Sequence, residues 1–111
     1  MITLPSDLLS SITDAIRKES NPHLVILFGS QAPGTADLNS DIDLLVVGDR
    51  PPAGTWSRRR EIGRIRRSLP PTKLPVDILF FTLDEVRKWR DTTNHIVSEA
   101  FNEGEVLYER S

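Results

Sequence analysis

The chain contains no cysteine among its 111 residues. Disulfides, thiolate zinc sites and a cysteine nucleophile are therefore excluded, and the absence fits a cytosolic setting, which is the expected location. Histidine is nearly as scarce. His23 and His95 are the two present, too few for a histidine-rich metal centre. Long apolar runs are missing as well. The longest, residues 24–28, falls far short of the roughly 20 residues needed to cross a bilayer. The first eleven residues show no basic segment followed by a long apolar stretch, so no leader is expected. Neither sign of charge dominates. The formal net charge is −2, and this average alone names no partner.

Hydrophobic residues make up 38% of the chain and charged residues 27%, as in an ordinary globular protein. The length suits one hydrophobic core, so residues 1–111 are expected to form a single domain. The charge is unevenly spread. Arg58, Arg59, Arg60, Arg64, Arg66 and Arg67 fall close together and are opposed locally only by Glu61. Such a patch is compatible with a phosphate-bearing ligand or an acidic partner, although most of these arginines are expected simply to solvate a helix face.

Leu8, Leu9, Ile12 and Ile16 recur at helical spacing, which predicts a helix over Ser6–Ser20 ended by Asn21-Pro22. Residues 23–28 read as a strand buried on both faces. Residues 31–36 suit a short helical turn. Residues 41–47 read as a second strand, with Asp41, Asp43, Leu45 and Val47 on one face and Ile42, Leu44 and Val46 on the other. A basic helix is predicted over 55–69, a third strand over 76–81, helices over 82–90 and 91–103, and an edge strand over 105–110. Thr82 and Glu85 have the spacing of a capping box, and Gly104 suits a helix C-terminus. This mixture predicts an α/β or α+β fold, a sheet with helices packed mainly on one side.

Three features carry chemistry. Asp41 and Asp43 share a strand face, so their carboxylates repel unless one protonates or a cation neutralises both. Hard cations such as Mg²⁺ take such oxygens. Gly29-Ser30 directly follows a buried strand. Glycine there lets the backbone approach a ligand, and backbone N–H groups opening a helical turn attract phosphate. Asp77 lies in an otherwise apolar run, where burial without a partner would be costly. It completes a three-carboxylate cluster if the third strand pairs beside the second; otherwise it is a solvated edge residue. Lys73 and His95 are weaker candidates, and Trp56 and Trp89 are expected to cover the core.

Leu27-Phe28-Gly29-Ser30-Gln31-Ala32, followed by Ser40-Asp41-Ile42-Asp43-Leu44, resembles the signature of the DNA polymerase β-like nucleotidyltransferase superfamily. The resemblance is closest to its minimal members, which consist of little more than the catalytic domain. It implies a nucleotidyltransferase fold in which Gly29 and Ser30 hold a nucleotide, ATP as substrate. It further implies that Asp41, Asp43 and Asp77 hold two Mg²⁺ ions, with Asp77 also orienting or deprotonating the attacking hydroxyl. One departure is visible: Pro33 stands where minimal members often carry arginine. Minimal members often resemble the antitoxin of prokaryotic two-gene modules. The implied partner is a helical HEPN-domain ribonuclease toxin, adenylylated on a tyrosine. Rival expectations are a small hydroxylated acceptor of the antibiotic type, or an antitoxin that occludes its partner without turnover. Membrane and direct nucleic-acid partners are not expected; homo- or hetero-oligomers remain open.

Overall fold

The computed structural model describes residues 6–28, 42–49, 57–72, 75–92 and 95–110. Their order is α1 (Ser6–Ser20), β1 (Leu24–Phe28), β2 (Ile42–Gly48), α2 (Arg58–Ser68), β3 (Val76–Thr82), α3 (Leu83–Trp89), α4 (Ile96–Glu103) and β4 (Glu105–Glu109). The sequence readings on Gly29, Ser30, Asp41, Pro33, Trp56, Lys73 and the turn at 31–36 fall outside the described residues.

α1 buries Ile12 and Ile16, one turn apart, and packs Leu8 and Leu9 at the margin of the same face. Asn21 ends it. Its φ of 48° lies in the left-handed region that asparagine tolerates, and its N–H donates to the Arg17 carbonyl at 3.0 Å. Pro22 prevents a further turn. His23 stays outside β1, although its N–H donates to the Val47 carbonyl at 2.7 Å.

The sheet order is β3-β2-β1-β4. β1 pairs antiparallel with β2 and with β4, while β2 and β3 run parallel. The two inner strands are thus covered on both faces. This explains their continuous apolar sequences, LVILF and LLVV, which show no polar alternation. Parallel neighbours need a crossover, and α2 supplies it.

Two cores result, one per sheet face. Ile42, Leu44 and Val46 of β2 meet Val25 and Leu27 of β1, Ile78 and Phe80 of β3, Ile12 and Ile16 of α1, and Ile65 of α2. Leu45 and Val47 meet Ile26 and Phe28, Val86 of α3, and Val97 and Ala100 of α4 on the opposite face. Each fully buried aliphatic or aromatic side chain contributes about 1.5–3 kcal/mol. The α+β class and mixed sheet agree with the sequence reading. The helical cover is heavier on one face, under α1 and α2, and the shorter α3 and α4 lie on the other.

The capping box is present: Glu85 N–H donates to Thr82 Oγ1 at 3.3 Å and Thr82 N–H to Glu85 Oε1 at 2.9 Å. α2 starts later than its pattern suggests, because Ser57 caps it by accepting from Arg60 N–H at 3.1 Å. Gly104 ends α4 through close packing. A Cβ there would sit 2.4 Å from Ile26 Cγ2 and 2.5 Å from the Ala100 carbonyl oxygen. The turn lets β4 enter beside β1, with a bulge at Val25/Ile26 and Val106 left 54% exposed on the outer edge.

Candidate active site

β2 fixes Asp43. Ile42 and Leu44 on either side point into the α1/α2 core, so the pleat directs Asp43 to the face shared with Leu45 and Val47. Its residue is partly buried there. Phe28, the last residue of β1, is its register partner on one side. Asp77 of β3 is its register partner on the other. Adjacent strands lie about 4.8 Å apart and opposed residues share a face, so the two carboxylates project side by side. Asp77 is exposed on an edge strand. It is thus both an edge residue facing water and a neighbour of Asp43; the third member of the expected cluster, Asp41, lies outside the described residues.

Asp43 also takes part in a further interaction and is not an isolated charge. Gly29 and Ser30 follow Phe28 directly in sequence, and Asp41 precedes β2 by one residue; all three lie outside the described residues. Among the described residues no group of three or more histidine, aspartate or glutamate side chains converges on a metal position. The described part of the site is therefore the Asp43–Asp77 pair beside the end of β1.

Other polar residues are accounted for structurally. His95 caps α4, its Nδ1 accepting from Val97 N–H at 3.1 Å. Its ring stacks on Trp89 at 4.6 Å and 5° and meets the edge of Phe81 at 6.1 Å. His95 therefore has a capping and packing role, and its cap was not foreseen from the sequence. His23 Nε2 pairs with Asp49 Oδ1 at 2.8 Å, beside the start of β1 and the end of β2, remote from Asp43. Arg58 pairs with Glu85, tying the start of α2 to the start of α3. Burial alone would raise the Glu85 pKa. The Thr82 N–H and the Arg58 guanidinium outweigh it and hold the carboxyl below its ordinary value.

A carboxylate pair aligned on neighbouring strands of a mixed four-stranded sheet is consistent with a nucleotidyltransferase fold. The sequence of residues 10–111 matches the family model described as Polymerase beta, Nucleotidyltransferase, and the chain belongs to that family. Family membership makes this a nucleotidyltransferase domain, and members of the family typically use a nucleoside triphosphate and Mg²⁺. A search of curated proteins found no match. No helix among the described residues is long and apolar enough to cross a membrane.

Proposed function

We propose that the chain transfers AMP from ATP to a hydroxyl of a protein acceptor, a tyrosine of a HEPN-domain ribonuclease toxin, and so acts as its antitoxin. The observation that carries the transferase reading is the register pairing of Asp43 with Asp77. It puts two carboxylates on one face, with Asp43 in register with Phe28 at the end of β1, the residue that Gly29-Ser30 follow in sequence. The protein acceptor and the antitoxin role rest on the resemblance to minimal family members.

The donor set fits a hard divalent cation: Asp41, Asp43 and Asp77 offer carboxylate oxygens and no softer ligand. Bound Mg²⁺ would supply Lewis-acid charge neutralisation across the triphosphate. The chain's own contribution is positional. Gly29 and Ser30, on the family resemblance, would hold the phosphates. Asp77, exposed at the edge, orients the acceptor hydroxyl and takes its proton. The hydroxyl oxygen bonds to the α-phosphorus, the bond from that phosphorus to the oxygen bridging to the β-phosphate breaks, and pyrophosphate leaves.

The test is intact-mass spectrometry of the candidate toxin after incubation with the protein, Mg²⁺ and ATP. The expected result is a mass increase of one AMP on a toxin tyrosine, absent with Asp41→Ala/Asp43→Ala. A complex that neutralises the toxin with no adduct would replace transfer by occlusion. An adduct on a small hydroxylated molecule but not on protein would move the reading to that acceptor class.

A further inference from the structure

The six arginines around α2 divide into two sets. Arg58 pairs with Glu85, and Arg64 with Glu61 and Glu19. Arg59, Arg60, Arg66 and Arg67 are exposed and have no carboxylate in ion-pair range among the described residues. These four are spaced so that, with Gly63, they fall on one face of the helix, at i, i+1, i+4, i+7 and i+8 counted from Arg59. Ile62, Ile65 and Leu69 occupy another face and pack on the sheet. The result is a cationic stripe: two arginine pairs about 10 Å apart along the axis, with glycine between them. Arg67 lies back over that gap, its Nη1 3.3 Å from where a Gly63 Cβ would stand.

The helix itself gains little from this arrangement. Arg66 and Arg67 suit the C-terminal end of the helix dipole, but Arg59 and Arg60 sit in the first turn, where positive charge is unfavourable. Arg60 and Arg64 are like charges one turn apart. The stripe is not a by-product of a basic protein either, since the net charge is −2. Four guanidiniums with no carboxylate partner among the described residues, two of them at the unfavourable end of the helix dipole, match a partner that brings carboxylates, which each guanidinium can grip with two N–H groups.

We propose that the outer face of α2 is the docking surface for an acidic face of the acceptor protein. An acidic protein fits better than nucleic acid. Nucleic-acid-binding domains are typically strongly basic overall, and single-strand binders add aromatic platforms; residues 58–69 contain no aromatic side chain. The position is also suitable. α2 is the crossover from the end of β2 to the start of β3, so its last turn lies toward the end of the sheet that carries Asp43 and Asp77. It packs against β3, the edge strand, so a partner gripping Arg66 and Arg67 needs only to pass that edge to reach Asp77. That the docked protein is the acceptor rests on the transfer reading above; that the stripe takes carboxylates does not.

The probe is a fluorescent random copolymer of glutamate and tyrosine, followed by anisotropy, with AMP incorporation from α-labelled ATP read separately. The wild-type protein is expected to bind it, with affinity falling as salt rises. Arg59→Glu/Arg60→Glu and Arg66→Glu/Arg67→Glu are each expected to weaken binding at least tenfold. The charge-matched Lys18→Glu/Arg87→Glu, on other helices, is expected to leave it unchanged. Replacing all four stripe arginines by glutamine gives the same loss without charge reversal, and circular dichroism confirms folding of each variant. Equal binding by stripe and control variants overturns the proposal, as does absence of binding. Tighter, stripe-dependent binding of a labelled single-stranded RNA overturns it in favour of nucleic acid. Stripe-dependent self-association in sedimentation, with Asp91, Glu99 and Glu103 of a second copy as the acidic face, overturns it in favour of an oligomer. Stripe-dependent copolymer binding without AMP incorporation supports the docking surface and counts against the transfer reading.

Discussion

Replacing Asp77 by asparagine separates folding from function at the carboxylate pair. Asp43 and Asp77 are opposed on neighbouring strands. With their charges about 5 Å apart, repulsion is about 0.8 kcal/mol in a water-like medium and about 3 kcal/mol at an effective dielectric of 20. Asp77 is exposed and Asp43 partly buried, so a value near the lower limit, about 1 kcal/mol, is the appropriate one. Asp77→Asn removes one charge and keeps the shape. In EDTA the variant is expected to melt about 4 °C higher than the wild type. Added Mg²⁺ raises the wild-type midpoint, because ligand binding to the folded state adds stability, and is expected to raise that of the variant much less. Nucleotidyl transfer by the variant falls at least a hundredfold. Differential scanning fluorimetry with and without Mg²⁺, alongside pyrophosphate release, measures all three. A variant that melts lower in EDTA, yet responds to Mg²⁺ as the wild type does, would refute the reasoning.

Gly104→Ala places a methyl group against Ile26 Cγ2 and two carbonyl oxygens; it is expected to destabilise by about 1–3 kcal/mol, seen as a lower thermal midpoint. Thr82→Ala removes half the capping box and should cost about 1 kcal/mol, lowering the urea midpoint with an unchanged slope. Glu85 has a depressed pKa in the folded state, so its stabilisation is complete above the unfolded value of about 4.3 and is lost as pH falls through the lower folded value. Glu85→Gln is accordingly expected to flatten the stability profile on the acid side, measured by urea titration between neutral pH and pH about 3.5. A wild-type profile no steeper than that of the variant would contradict this.

Local physics was legible in the sequence, and long-range pairing was not. The limits of α1 follow from four aliphatics at helical spacing and an Asn-Pro stop, and they match the structure. The Thr82–Glu85 box depends on residues three apart, and it too is present as read. The alternation along β2 correctly separates Asp43, Leu45 and Val47 from Ile42, Leu44 and Val46. Strand order is a different matter. Residue types alone do not say that β3 lies parallel beside β2, so the approach of Asp77 to Asp43 could be written only as a condition. Helix starts were read too early where a capping side chain takes the first amides: Ser57 at α2 and His95 at α4. Gly104 was read as a helix C-terminus, and the structure requires it there for a contact with Ile26, a residue far away in sequence.

The pleat of β2 acts as a reading frame shared by the two hydrophobic layers and the acidic pair. Inserting or deleting one residue within Ile42–Gly48 shifts part of the strand by a single step. Apolar side chains beyond the lesion then turn toward the wrong layer, and a lesion that moves Asp43 by one place turns its carboxylate in among Ile12, Ile65 and Phe80. Many substitutions along this strand can be graded in their effects, but a change in its length cannot, because the acid and its greasy neighbours are read in the same phase.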